Sequence, residues 1–453
     1  MKSNVKFDQI KGTIAVLESL GETVLLAFLF YLVWRSGYST TAAFHPYFGR
    51  GKVVLMIVYA VIMYAMLRIC DGLQFGNLRI LDSTLSQWVA AVLTNILTYL
   101  QLSLMVNKLT KVTPILILTL LDFAVMLGCI FVFSKIYRIF YVPKDMLMIY
   151  GSEGAKALKK KMDRHLDRYH INEMLDASMG FEQILTEIEK HDAVLINDIP
   201  TQLRNDIIKH CYQNSIQVYI VPKISDIILR GAGDVNVVDT PVVLVRGNGL
   251  SPGEAFLKRV FDIVLCSLSM IVAAPMMLVV AIMIKLDDGG PVFYRQRRVT
   301  KDGREFDILK FRSMIVEAEK EGEVIPAENE DPRITRVGRK IRSSRIDEIP
   351  QILNILKGDM SIVGPRPERI EHVKMYTEQI PEFTNRLKVK GGLTGYAQVY
   401  GKYNTTAYDK IRLDLMYIEN YSILLDFKII ILTLRILFKK ESTEGFDKQV
   451  KTD

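Results

Sequence analysis

Apolar residues in this chain gather into runs too long for the core of a soluble domain. Four segments, Thr13–Trp34, Val53–Leu67, Leu85–Val106 and Pro114–Phe133, are nearly continuous in hydrophobic side chains. A helix of about 20 apolar residues crosses the hydrocarbon of a bilayer. The four therefore predict membrane-spanning helices, the second short enough to need Lys52 and Arg68 at its ends. Lys2, Lys6 and Lys11 precede the first run, but no clear small-residue cleavage site follows, so a retained helix is expected rather than a cleaved signal. Glu18, Glu22 and Asp122 fall inside the spans with no basic residue beside them. Packing against neighbouring helices, or snorkelling, is the expected role, ahead of a proton or ion relay. An even number of crossings returns the chain to its starting side. The loops carry Arg35, Arg50, Lys52, Lys108 and Lys111 on one side and Lys135, Arg138 and Lys144 on the other, so charge bias is weak; both ends are placed inside.

The pattern then shortens. Met146–Tyr150 is an apolar strand ending in Gly151-Ser-Glu-Gly154, a Lys-rich helix follows, and Ala193–Ile196 and Ile216–Val221 read as further buried strands. Strand, glycine loop and helix in that order resemble the start of a Rossmann domain. A third glycine and a ribose-binding acid are missing, so a degenerate structural or regulatory domain is expected.

A further apolar run, Val260–Ile284, has Lys258 and Arg259 before it, Lys285 after it and Pro275 in its middle. Proline removes a helix hydrogen bond and crowds the preceding turn. Either a kinked crossing or a bend that returns to the same face fits this pattern; positive charge at both ends favours return. Beyond it the chain turns polar. Arg295, Arg297, Arg298, Lys301, Arg304, Lys310 and Arg312 form one basic stretch, and Arg333, Arg336, Arg339, Lys340, Arg342 and Arg345 a second, around the acidic segment Glu317–Asp331.

Composition sharpens the picture. The 453 residues are 49% hydrophobic and 24% charged, with mean hydropathy +0.18, as expected when membrane segments accompany ordinary polar domains. The net charge of +8 suits anionic lipid or phosphate, and the membrane segments argue against nucleic acid. Cys70, Cys129, Cys211 and Cys266 make no CxxC pair, and His210 beside Cys211 has no second ligand pair at zinc spacing, so reduced buried thiols are expected.

Candidate chemistry lies in Ser343-Ser-Arg-Ile-Asp-Glu-Ile-Pro-Gln351. Pro350 suits the first position of a helix, which would put Asp347 and Glu348 at its N-terminus. Alone, such a pair is usually a cap. Gly364-Pro-Arg-Pro367 then holds Arg366 in a stiff turn suited to a phosphate, and Gly391-Gly-Leu-Thr-Gly-Tyr-Ala-Gln398 offers glycines that let backbone approach a ligand.

From about Leu257 to Phe438 the ordered motifs Lys258-Arg-Val-Phe-Asp262, Lys310-Phe-Arg-Ser-Met314, Asp331-Pro-Arg-Ile-Thr335, Asp347-Glu-Ile-Pro-Gln351, Leu356-Lys-Gly-Asp-Met360, Gly364-Pro-Arg-Pro367, Leu393-Thr-Gly-Tyr-Ala-Gln398, Leu413-Asp414 and Tyr417-Ile418 resemble the bacterial sugar transferases, the monotopic phosphoglycosyl transferases. The chain departs from that family at Gly391-Gly392, where Pro-Gly is usual, and at Tyr396, where Trp is usual. The resemblance implies that Asp347 is a nucleophile toward a UDP-sugar. UMP would leave, and polyprenyl phosphate would take the sugar phosphate from the aspartyl intermediate. It further implies Mg²⁺ held by Glu348. Arg366, Lys310 and Arg312 are candidates to hold phosphates, with fold-stabilising ion pairs the alternative for Lys310 and Arg312; Gln398 is a weaker candidate for nucleotide or loop contacts, and Asp414 a candidate structural residue. The family's larger members suggest a homodimer.

The fold expected is therefore membrane α plus α/β: a four-helix transmembrane bundle (1–140), a small Rossmann-like domain (141–250), an α/β catalytic domain (255–440) whose re-entrant membrane helix (258–285) is broken at proline, and a polar tail (441–453). UDP-sugars are cytosolic and the acceptor phosphate lies at the lipid surface, which favours the returning helix and a catalytic domain on the cytoplasmic face of a bacterial inner membrane. The run Tyr421–Lys440 fits an interfacial helix or packing inside the domain equally well. Two rivals are a membrane-bound nucleotide-sugar dehydratase or epimerase, with Tyr219 and Lys223 at catalytic spacing, and a non-enzymatic scaffold for polysaccharide assembly. The first needs both side chains on one helix face, which the strand-like Tyr219-Ile-Val-Pro-Lys223 does not offer. The intact carboxylate pair argues against the second.

Overall fold

The structure is a computed structural model, and it describes residues 2–38, 49–73, 80–140, 144–152, 154–163, 169–247, 249–316, 331–401 and 405–437. Most of the acidic segment Glu317–Asp331 and the expected tail 441–453 lie outside these residues. The chain forms two compact units, Met1–Lys223 and Ile224–Asp453.

The first unit begins with α1 (Lys2–Gly37), α2 (Gly51–Ile69), α3 (Ile80–Val106) and α4 (Thr113–Phe140). Within these, Thr13–Gly37, Gly51–Ile69, Ser83–Val106 and Thr113–Ile136 are long and apolar enough to cross a membrane. They contain the expected spans and extend them by a few residues at most ends. α1 and α3 each pack against both α2 and α4. The acids face this interior: Gln87 Nε2 donates to Glu22 Oε2 at 3.0 Å, and Asn95 Nδ2 donates to Asp122 Oδ2 at 2.8 Å. Packing, not snorkelling, places them, since Glu22 and Asp122 are 1% and 0% exposed.

β1 (Lys144–Tyr150), α5 (Gly154–Met162), β2 (Tyr169–Asp176), α6 (Phe181–Ile188), β3 (Ala193–Asn197), α7 (Thr201–Gln213) and β4 (Gln217–Ile220) follow. The strands form one parallel sheet in the order β2-β1-β3-β4. Continuous apolar stretches such as Met146–Ile149 and Ala193–Ile196 are buried on both faces, as parallel strands covered by helices require.

The sheet ends earlier than the expected boundary at 250. α8 (Ile224–Arg230) and the antiparallel hairpin β5 (Gly233–Val237) and β6 (Thr240–Leu244) belong to the second unit. The reason is core packing: Ile224 and Ile227 are buried with Ile411 and Leu415. Next come α9 (Pro252–Asp288), the antiparallel pair β7 (Phe293–Val299) and β8 (Glu305–Phe311), α10 (Arg336–Ser343), α11 (Gln351–Lys357), β9 (Ser361–Val363), α12 (Ile370–Gln379), β10 (Gly392–Thr394), α13 (Tyr396–Tyr400), α14 (Ala407–Glu419) and α15 (Ile423–Leu437).

α9 starts with a capping box, in which Ser251 and Glu254 satisfy each other's backbone N–H groups, and ends at Gly289 with φ 72°. It stays helical through Pro275 and is, among the described residues, the fifth helix apolar and long enough to span. Its middle is exposed, with Ile271 at 72% and Val272 at 73%. α15 packs inward: Asp426, Ile429 and Leu432 are buried, which favours the second of the two readings of that run.

Candidate functional site

Asp347 and Glu348 lie on a 3-10 turn, Ile346–Glu348, that leads through Ile349 and Pro350 into α11. Pro350 caps α11 instead of starting it, a one-residue difference of the kind that helix ends show. Arg345 enters the turn at φ 55°, a left-handed conformation that few side chains tolerate. Such strain tends to collect at functional sites.

Asn354 holds α11 against β8. Its Oδ1 accepts from Leu309 N at 2.9 Å, and its Nδ2 donates to Asp307 O at 2.8 Å. The turn ahead of α11 therefore lies beside β8, and Lys310 Nζ donates to Glu348 Oε1 at 3.0 Å. Arg366 Nη2 donates to the same oxygen at 2.7 Å.

Backbone pairing positions Arg366. β9 and β10 run parallel, Gly364 N donates to Thr394 O and Gly392 N to Pro365 O, each at 2.9 Å. A Cβ on Gly364 or Gly392 would overlap the backbone of the other segment. These glycines let two backbone segments meet closely. Arg386 Nη2 then holds the Arg366 carbonyl at 2.9 Å, while its Nε donates to buried Asp414 at 2.9 Å.

The two carboxylates differ sharply. Burial alone opposes charge on Glu348, but Arg366 and Lys310 outweigh it and hold the group far below the usual carboxylate range. Asp347 accepts no hydrogen bond or ion pair among the described residues. Burial, offset by Lys310 and reinforced by the Glu348 charge, pushes it up to about 6. It is the more basic carboxylate and the one not already committed. Burial lowers Lys310, although Glu348 opposes that shift. Arg342 and Arg345 add positive potential at Asp347.

Of the other expected residues, Arg312 is buried in an ion pair with Asp288 at the end of α9. Gln398 donates to Leu393 O at 3.1 Å within its own loop. Neither bonds to Asp347, Glu348, Lys310 or Arg366. Asp414 is a scaffold residue, as expected. Tyr219 sits in β4, and Lys223 pairs with Asp198 at 3.2 Å, so the two share no helix face. Sequence reasoning missed Asn354, whose amide looks like any helix surface residue until β8 is placed. It also left Arg298 undistinguished in a basic run. Arg298 Nη1 donates to Pro367 O at 3.1 Å, and burial, with Arg366 nearby, lowers it to about 10.

Residues 253–440 match the profile of the bacterial sugar transferases. A UDP-glucose:undecaprenyl-phosphate glucose-1-phosphate transferase of Caulobacter vibrioides is 39% identical over 211 residues, 45% of this chain and 78% of the relative. The chain belongs to the bacterial sugar transferase family. A second sugar transferase relative, the UDP-N-acetylgalactosamine-undecaprenyl-phosphate N-acetylgalactosaminephosphotransferase of Aeromonas hydrophila, is 44% identical over 41% of this chain and 45% of the relative. A third, the UDP-glucose:undecaprenyl-phosphate glucose-1-phosphate transferase of Escherichia coli, is 41% identical over 43% of each chain. The alignment with these last two thus spans a little under half the length of each relative.

Proposed function

We propose that this chain is an undecaprenyl-phosphate sugar phosphotransferase. It moves a sugar 1-phosphate from a UDP-sugar to polyprenyl phosphate and releases UMP, the membrane step that opens assembly of a surface polysaccharide. The observation that carries this reading is the contrast within the pair: Glu348 is gripped by Lys310 and Arg366, and Asp347 is left unbonded. An Asp347 oxygen attacks the sugar-bearing phosphorus, and the phosphoanhydride bond to UMP breaks. An oxygen of polyprenyl phosphate then attacks that phosphorus and frees the carboxylate. Lys310, Arg366, Arg342 and Arg345 supply the positive surroundings that a diphosphate needs.

Glu348 Oε2 and both Asp347 oxygens remain unbonded among the described residues, and such oxygen ligands fit Mg²⁺. Held by Glu348, the ion would offset the charge of the diphosphate.

The same reading places the catalytic unit on the cytoplasmic face of the inner membrane, with α9 bending back instead of crossing. Near its start, Lys258 pairs with Asp426 at 2.5 Å and Asp262 accepts from Ile362 N at 3.1 Å. At its end, Asp287 accepts from Val337 N at 3.2 Å and Asp288 pairs with Arg312. An unbent helix would hold Lys258 and Asp288 about 45 Å apart, beyond the hydrocarbon thickness. Contacts of both ends with one compact unit, with Pro275 between them, support return over a full crossing, although the helix continues through the proline. The four spans read as a bundle, and the sheet of the first unit as a degenerate Rossmann-like domain. The hairpin β5–β6 supports a homodimer. It is exposed along both strands, with Val237 at 52% and Val243 at 54%, and a lone two-stranded ribbon is marginal in water.

The test is UMP release by purified protein with Mg²⁺, undecaprenyl phosphate and either UDP-glucose or UDP-N-acetylgalactosamine. Release with one donor, together with labelled sugar phosphate trapped on Asp347, is expected. A label on another side chain overturns the assignment.

A further inference from the structure

A second cluster of ligating side chains lies in the first unit, on the sheet and far from the transferase motifs in sequence. His191 follows α6 and is pinned by its own backbone, N to Ile188 O at 3.2 Å, while Asp192 N donates to Asp145 O at 3.1 Å. This tucks the imidazole under the start of β1, where its side chain is 8% exposed. Glu173 Oε2 stands 3.5 Å from Nε2, and Asp145 Oδ2 stands 3.2 Å from Nδ1. Among the described residues Nδ1 nevertheless has no hydrogen-bond partner of acceptable alignment. Glu187, from the last turn of α6, brings a carboxylate oxygen within 4.8 Å of the ligand atoms of Glu173 and His191, and its Oε1 also accepts from the exposed Lys190 Nζ at 2.6 Å.

A backbone irregularity builds this arrangement. The β1–β2 register slips between Met146 and Leu147, so Asn172 has no partner across the strand. A bulge re-aims side chains. Here the consecutive residues Asn172 and Glu173 both reach the same cluster, and Asn172 Nδ2 ties Asp145 Oδ1 at 2.5 Å. Asp145 therefore keeps Oδ2 toward the ring. A neutral imidazole has one N–H, yet both ring nitrogens face carboxylates. With a cation held at Nε2 the proton stays on Nδ1, 3.2 Å from Asp145 Oδ2, and a small turn of that carboxylate would bring it into line. Carboxylates that orient a ligating histidine in this way are the usual outer partners of metal sites.

We propose that His191, Glu173 and Glu187 bind a first-row divalent transition metal ion, of the zinc or cobalt class, with Asp145 as the positioning carboxylate. One imidazole and two carboxylates suit such an ion better than magnesium or calcium, which favour all-oxygen sets. The ion would join β2 to the α6–β3 connection and so stabilise this sheet. The proposal is independent of the transferase reading.

The test adds Co²⁺ to the purified full-length chain in detergent and follows visible absorption and thermal stability. One equivalent taken up by this cluster, with a rise in melting temperature reversed by EDTA, is expected. His191→Ala should abolish that equivalent, and Asp145→Asn should weaken it by about 10- to 100-fold. Glu173 is half exposed, so Glu173→Gln keeps the sheet intact and serves if His191→Ala misfolds. Uptake is scored as the difference from the parent, so that any ion held at Glu348 cancels. Absence of uptake, or equal affinity in parent and Glu173→Gln, overturns the proposal.

Discussion

Two clusters of charge share the segment Gly364–Pro367 and are built on opposite principles. Behind the segment, Arg386 is 3% and Asp414 1% exposed; they pair at 2.8 Å, and Glu368 closes the group through Lys410 at 2.7 Å. In front, Glu348 receives two cations on one oxygen, further arginines crowd in, and Asp347 has no partner among the described residues. Arg366 joins the clusters, since its guanidinium faces the front and its carbonyl is held from behind. The balanced cluster fixes a position. The unbalanced one leaves positive potential and a free carboxylate where a ligand with charge of its own completes the set. Unmet bonding capacity, not ion pairing as such, distinguishes a site from a scaffold.

The comparison breaks most directly at Asp347. Asp347→Asn should lower UMP release by at least about 10³-fold with an unchanged melting temperature; a residual rate near the parent's would erase the distinction. Arg386→Met acts on the other cluster. Stranding buried Asp414 should cost about 3–5 kcal/mol, read as a fall in thermal stability. If stability holds and only activity falls, the rear cluster is part of the site. Lys310→Met should reduce kcat/KM by about 10²-fold. A smaller, sharper signature is pH. Asp347 attacks only when ionised, so activity should fall as pH drops through about 6. Lys310 favours the ionised form, so Lys310→Met should move that limb upward; Glu348 disfavours it, so Glu348→Gln should move the limb of its residual activity downward. Asn354→Ala should have the smallest effect, about 1–3 kcal/mol of stability from stranding Leu309 N and Asp307 O.

The linear pattern alone determined much of this protein. Spans need only a length of apolar residues, and the observed helices contain each expected run. Parallel strands buried on both faces announce themselves as unbroken Val, Ile, Leu and Met. The family followed from ordered motifs, and with it the carboxylate pair. Other assignments depended on partners distant in sequence. Lys310 and Arg312 are two residues apart in one basic run, yet one reaches Glu348 and the other is buried against Asp288. Nothing local separates them, because a side chain's role depends on which strand or helix lies opposite. The glycines of residues 391–395 read as an ordinary turn or, less readily, a ligand loop, and only the fold shows Gly364–Pro367 occupying the space beside them. α8 went to the second unit through contacts with α14, nearly 190 residues onward. Periodicity is a property of neighbours along the chain; ion pairing, clamps and domain edges are properties of neighbours in space, and only folding chooses those.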